Sequence, residues 1–161
     1  MADVVKPAVR SAMMSAIRGK DTQPEMVLRR GLFSRGFRYR LHVASLPGRP
    51  DIVIRKRRIA IQVHGCFWHA HKDCRFFQMP EGNRPFWADK LLGNRERDLR
   101  SAAALHAAGW RVAIVWECAV RAKYKEVLDL VCRFIDGDRQ YVEIAEGGAG
   151  RRLKVRSKSF R

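Results

Sequence analysis

No apolar run in this chain approaches the roughly 20 residues that a membrane-spanning helix needs, which excludes a helical membrane protein from the readings of the sequence. The first eighteen residues interleave Asp3, Lys6, Arg10 and Arg18 with apolar positions and so lack the continuous apolar stretch of a secretory signal. A cytoplasmic, nucleoid-associated protein is expected. Acidic residues are scarce: 16 Asp and Glu stand against 33 Lys and Arg, a formal net charge of +17. So positive a field gathers polyanions, and no basic amphipathic stretch with a wide apolar face suits a membrane surface. Nucleic acid is therefore the expected partner. Cysteines number only four, and in a reducing compartment they suit metal ligation better than a disulfide framework.

What is present fits one domain, since 161 residues with 47% hydrophobic content can bury a single core. Thr22 is expected to cap a helix running to about Ser34, with Glu25 reaching back as a capping box and Pro24 in the first turn. That helix would bury Met26, Leu28, Leu32 and Phe33. A strand is expected over Phe37–His42, then a hairpin in which Ile52–Ile54 and Ile59–Val63 flank the basic turn Arg55–Arg58. Phe86, Leu91, Leu99, Ala103 and Leu105 have helical spacing, with Gly93 as a candidate break. Arg111–Trp116 reads as a buried strand, and Val127, Leu128, Val131, Cys132 and Ile135 as the stripe of a closing helix, where Cys132 acts as a small hydrophobe. The pattern predicts an α/β fold with a mixed central sheet flanked by helices. Residues 21–136 would form the domain, preceded by a basic arm over 1–20 that orders on its partner. A Gly-rich, basic and flexible tail would follow over 137–161.

In a hairpin turning at Arg55–Arg58, Asp51 falls opposite Gln62. Alternation then sends Asp51, Gln62 and His64 to one face and the isoleucines to the other. A carboxylate and an imidazole at one sheet end suit phosphodiester hydrolysis, which needs a hard cation, a carboxylate to hold it and a donor near the phosphate. Downstream, Cys66, His69, His71 and Cys74 crowd one short stretch, and Cys118 follows a strand. Three thiols and one imidazole make a structural zinc site; by spacing alone either His69 or His71 serves as the fourth ligand. Whichever histidine is left over is free to act as a base near neutral pH. Phe67 and Trp68 lie inside the ligand run, with Trp87 on the next helix. Large rings held rigidly beside a nucleic-acid site can wedge between bases, at least cost where pairing is already defective.

The runs Asp21-Thr22 with Glu25, Ala44-Ser45-Leu46-Pro47-Gly48-Arg49-Pro50-Asp51, His64-Gly65-Cys66-Phe67-Trp68-His69, Asn94 with Glu96-Arg97-Asp98, and Gly109–Val112 continuing to Val115-Trp116-Glu117-Cys118 carry a resemblance. In order and spacing, over roughly residues 8–122, the chain resembles the very short patch repair (Vsr) mismatch endonucleases. The resemblance implies a restriction-endonuclease-like fold and a magnesium-dependent nick 5′ to the mismatched thymine of a T:G pair. It implies Asp51 as magnesium ligand, His69 as general base, His64 against the phosphate, and Glu25 and Asp98 in support. Zinc would sit on Cys66, His71, Cys74 and Cys118, and Phe67, Trp68 and Trp87 would enter the base stack. The expected partner is a mismatched DNA duplex bound by a monomer, with repair-pathway proteins as further candidates. Two departures are visible. Lys72-Asp73 lengthens the run between His71 and Cys74 by one residue, and Gln62-Val63-His64 stands where nucleases commonly carry Glu-x-Lys, leaving an imidazole to do the lysine's electrostatic work. The competing readings are a zinc-stapled mismatch-binding module that does not cut, and a restriction-type nuclease acting on intact duplex.

Overall fold

The isoleucine-rich hairpin is the centre from which the sheet grows. The computed structural model describes residues 19–147 and 152–158, together with Lys6, Ala8 and Val9. Of the expected 1–20 arm, therefore, only Lys6, Ala8, Val9, Gly19 and Lys20 are described, and the rest lies outside the described residues. Helix α1 (Gln23–Ser34) comes first, then β1 (Arg40–Leu41), β2 (Ile52–Ile54) and β3 (Ile59–His64). β2 and β3 pair antiparallel with Ile54 opposite Ile59 and Ile52 opposite Ile61, the register expected. Arg55–Arg57 form one 3-10 turn, closed by Arg58 at φ 51°.

α2 (Arg84–Ala107) carries the chain from β3 to β4 (Arg111–Trp116), which lies parallel to β3 with His64 beside Trp116. Parallel neighbours require such a crossover. α3 (Glu117–Asp136) makes the second crossover, to β5 (Tyr141–Gly147), parallel to β4; β6 (Arg152–Arg156) then pairs antiparallel with β5. The sheet order is β1-β2-β3-β4-β5-β6.

α1 and α3 cover one face, where Leu28, Leu32, Val127, Leu128, Val131 and Ile135 meet Ile52, Ile54, Ile59, Ile61 and Ile144. α2 covers part of the other, where Ala102 and Leu105 meet Ala60, Val112, Ile114 and Trp116. β3 and β4 are thus buried on both faces, as central parallel strands must be.

Several expectations are corrected. The tail expected after Gly137 is ordered where it is described: β5 buries Tyr141, Val142, Ile144 and Ala145 against its neighbours, so a short apolar set inside a charged segment extends the sheet. The strand expected over 37–42 contracts to two residues, because Phe37 and Tyr39 pack on the core and His42 ends the strand at φ 47°. Gly93 does not interrupt α2; a side chain there would meet open space. The buried stripe of α2 is Trp87, Leu91, Ala102 and Leu105, while Phe86 and Leu99 are 50% and 59% exposed and Ala103 is also exposed. Phe33 of α1 is exposed beneath the Arg38 guanidinium, Met26 is half-buried, and Cys132 is half-buried with the Arg35 guanidinium donating to its sulfur. Thr22 gives no side-chain cap; Glu25 alone reaches back, accepting from the Asp21 N–H at 2.9 Å.

Candidate active site and metal centre

Asp51 immediately precedes β2, and its carboxylate accepts the Val63 N–H at 2.8 Å, locking it to the neighbouring strand. His64 ends β3 on the same side. Together with His42, Gln62, His69 and Asp98 they line a cavity of about 360 Å³, to whose lining Lys20 and Arg49 also contribute. The expected convergence of Asp51, His64 and His69 is therefore present. Gly48, at φ 71°, lets the preceding loop pass over α2: a Cβ there would lie 2.6 Å from Ser101 Cβ and 2.8 Å from Gln62 Nε2.

His69 Nδ1 stands 2.6 Å from Asp98 Oδ2, on α2. A carboxylate there accepts the Nδ1 proton and leaves Nε2 as the basic nitrogen. The His64 and His69 rings stack, 3.9 Å apart and nearly parallel. Burial, and after it His69 and His71, hold the His64 imidazole well below its ordinary range, so it is neutral at pH 7. A neutral ring does not do a lysine's electrostatic work, which corrects that expectation. With Gln62 Oε1 3.2 Å from its Nε2, His64 is a hydrogen-bond donor. Burial pushes the Asp51 carboxyl up to about 6, and nearby Glu25 adds to the rise while the Val63 N–H opposes it. A carboxylate so disfavoured as an isolated anion is suited to a cation.

Glu25 occupies a different place from that expected. It is 2% exposed and does not line the cavity. Arg29 at 3.2 Å and His42 at 3.0 Å hold it, and Asp21 joins the same cluster through Arg29 at 2.7 Å. Glu25 therefore contacts the cavity lining through His42, which lies 3.0 Å from Glu25 and 3.7 Å from Asp51. Sequence reading passed over His42 and Arg29, because neither falls in a recognisable motif.

Cys66, His71, Cys74 and Cys118 bring their ligand atoms within 4.8 Å of one another. His71 Nδ1 and Cys118 Sγ are 3.5 Å apart, close to the edge of a tetrahedron with zinc-ligand bonds of about 2.0–2.3 Å. The residues present thus fit a zinc ion, and His71, not His69, belongs to the set. Asp73 turns at φ 57°, and the Lys72-Asp73 stretch still delivers Cys74 to the cluster. Cys118 is held below the usual thiol range, first by the Cys66 thiol hydrogen-bonded to it and further by His71 and the Glu146 N–H; the thiolate is the form that binds metal. His71 also stacks on Trp116 at 4.0 Å.

Phe67 and Trp68 meet edge to face at 5.1 Å and are half-buried. Trp87 lies 5.5 Å from Phe67 but is only 7% exposed, so it backs the other rings instead of projecting with them. Phe86 beside it is the exposed ring. Asn94 holds the loop by donating to the Trp68 carbonyl at 2.8 Å, and Glu117 accepts the Cys66 N–H.

A strongly basic α/β molecule with a carboxylate, a His–Asp pair and a thiol–imidazole cluster at one end of its sheet belongs among the DNA endonucleases, and comparison with known proteins agrees. The family model described as "DNA mismatch endonuclease Vsr" matches residues 2–75. The chain is 46% identical over 135 residues to the type II nicking enzyme V.XorIIP of Xanthomonas oryzae pv. oryzae, covering 80% of this chain and 98% of that one. It is 47% identical over 125 residues to the DNA mismatch endonuclease Vsr of Escherichia coli, covering 78% and 80%. With the type II nicking enzyme V.NmeAIP of Neisseria meningitidis it shares 39% over 123 residues, covering 76% and 87%. The chain belongs to the Vsr family of DNA mismatch endonucleases.

Proposed function

We propose that this endonuclease nicks one strand of duplex DNA 5′ to the mismatched thymine of a T:G pair, in a magnesium-dependent hydrolysis within a restriction-endonuclease-like fold. The observation that carries the reading is the placement of Asp51, His64 and the His69–Asp98 pair around one cavity. Asp51 would hold the divalent cation, which supplies neutralisation of charge developing on the phosphate. His69 takes the proton of the attacking water at Nε2, while Asp98 retains the Nδ1 proton and stabilises the resulting imidazolium. His64, neutral and stacked on His69, would give its single N–H, held at Nε2 by Gln62 Oε1 in the free protein, to a phosphate oxygen when DNA binds. Glu25 acts from behind, through His42. A zinc ion on Cys66, His71, Cys74 and Cys118 serves structure alone, pinning the loop that carries His69, Phe67 and Trp68.

Mismatch preference follows from the aromatic cluster. Phe67 and Trp68 enter the stack beside the defective pair, with Trp87 as their buried support, at a cost of about a few kcal/mol per unstacked step that is least where pairing has already failed. A monomer acting on DNA suffices for this reading, with 5-methylcytosine deamination as the origin of the substrate. Asp51→Ala is expected to abolish nicking while T:G duplex binding, read by gel shift, stays within about threefold of the parent. Retained nicking by that variant would sink the mechanism.

A further inference from the structure

His42 stands between two carboxylates and treats them differently. Its Nε2 lies 3.0 Å from Glu25 Oε1 and 3.4 Å from Asp21 Oδ1. Both neighbours are acceptors, so Nε2 carries the hydrogen, and Arg29 fixes those acceptors from the far side. In the neutral ring Nδ1 then keeps its lone pair, and it lies 3.7 Å from Asp51 Oδ1. That separation is too long for a hydrogen bond. It admits a cation bound to both atoms at about 2.1 Å. The other Asp51 oxygen is already used by the Val63 N–H, so Oδ1 is the one free to ligate.

A ring that gives one N–H to a carboxylate and presents its other nitrogen to an open site has the arrangement found in metal-bound histidines, where the carboxylate fixes the tautomer and raises ligand basicity. The backbone is committed to it as well. His42 adopts φ 47°, a left-handed conformation that costs about 1 kcal/mol for a residue with a side chain, and its N–H bonds the Asp51 carbonyl at 3.1 Å. The two ligands are thus tied together at the ends of paired strands.

We propose that His42 Nδ1 is a second protein ligand, beside Asp51, to the active-site cation, and that it shifts this chain's preference from magnesium toward first-row transition ions, for which manganese is the spectroscopic probe. Imidazole nitrogen suits such ions better than it suits magnesium, which favours oxygen. The inference rests on the reading of Asp51 as cation ligand. Glu25, for the same reason, is a positioning residue that orients the His42 ring.

The test is manganese binding by the zinc-replete protein, followed through loss of the free-ion EPR signal, with the bound ion examined by pulsed EPR for coupling to ¹⁴N. The parent is expected to show imidazole nitrogen coupling, and His42→Gln to lose it while its manganese Kd rises about tenfold or more. Magnesium affinity, measured by competition, should fall by a smaller factor. Nitrogen coupling that persists in His42→Gln, or is absent from the parent, overturns the proposal whatever the variant's stability. Asp51→Ala separates the two readings: if manganese binds it as tightly as the parent, the Asp51 assignment fails; if binding is lost there but His42→Gln matches the parent, only the His42 proposal fails.

Discussion

Asp51 is the residue on which the proposed chemistry and the stability of this protein pull in opposite directions. Its carboxyl titrates at about 6 in the folded protein against an ordinary value of 3.8, because burial disfavours the anion. With the folded value above the unfolded one, the stability Asp51 contributes is complete below about pH 3.8 and is lost as pH rises through about 6. At pH 7.5 and without magnesium, the buried anion costs at most about 3 kcal/mol. Asp51→Asn keeps an acceptor for the Val63 N–H and removes the charge. It should therefore raise Tm by several degrees in magnesium-free, zinc-containing buffer at pH 7.5, and the gain should shrink toward pH 4. A Tm gain independent of pH would show that the charge is not the cause. His64 illustrates the same physics with the opposite sign, since burial keeps an imidazole neutral and makes it a donor instead of a cation.

At the scale of elements, the loop between β3 and α2 is held by its chemistry more than by regular structure. Cys66, His71 and Cys74 gather against Cys118 at the start of α3, close enough to share a metal ion, and Asn94 of α2 clasps the loop at Trp68. Because a structural zinc contributes directly to folding, Cys118→Ser should lose stoichiometric zinc by elemental analysis and lower Tm by on the order of 10 °C. Unchanged zinc content and Tm would contradict the ligand set. Much of this was legible in the sequence. Hairpin register followed from the length of the Arg55–Arg58 turn, and the candidate metal cluster from a density of Cys and His that core packing does not require, although the choice between His69 and His71 came only from the family resemblance. The Trp87 stripe of α2 was not, since Phe86 and Trp87 are adjacent, both aromatic, and only packing against Phe67 decides which turns inward. His42 escaped for a related reason: its importance lies in its approach to residues 17 positions before and nine after it, and no local pattern encodes those. β5 was hidden by the charged residues around its buried Val142 and Ile144.

The whole molecule is a polycation folded around a sheet that delivers its chemistry to one end. No helix among the described residues is long and apolar enough to cross a membrane. Beyond the active-site cavity, a second cavity of about 660 Å³ runs from His64 and His69 to Arg152, Lys154, Arg156 and Lys158 on and just past β6. Every second residue there is a cation, on the edge strand that composition alone assigned to a tail. If this strand tracks a DNA phosphate backbone, replacing Arg152, Lys154 and Arg156 by Gln should reduce the steepness of log K against log salt by about 0.9 for each phosphate that is no longer neutralised. An unchanged slope would place the DNA elsewhere.

Magnesium-dependent nicking directed by a T:G mismatch is tested most directly by offering the enzyme end-labelled duplexes that differ only in carrying T:G, C:G or T:A at one position, with magnesium and with EDTA. The predicted result is a single nick 5′ to the thymine of the T:G duplex, absent from the other two and absent with EDTA. Equal cutting of all three duplexes, or a nick that survives EDTA, would contradict it.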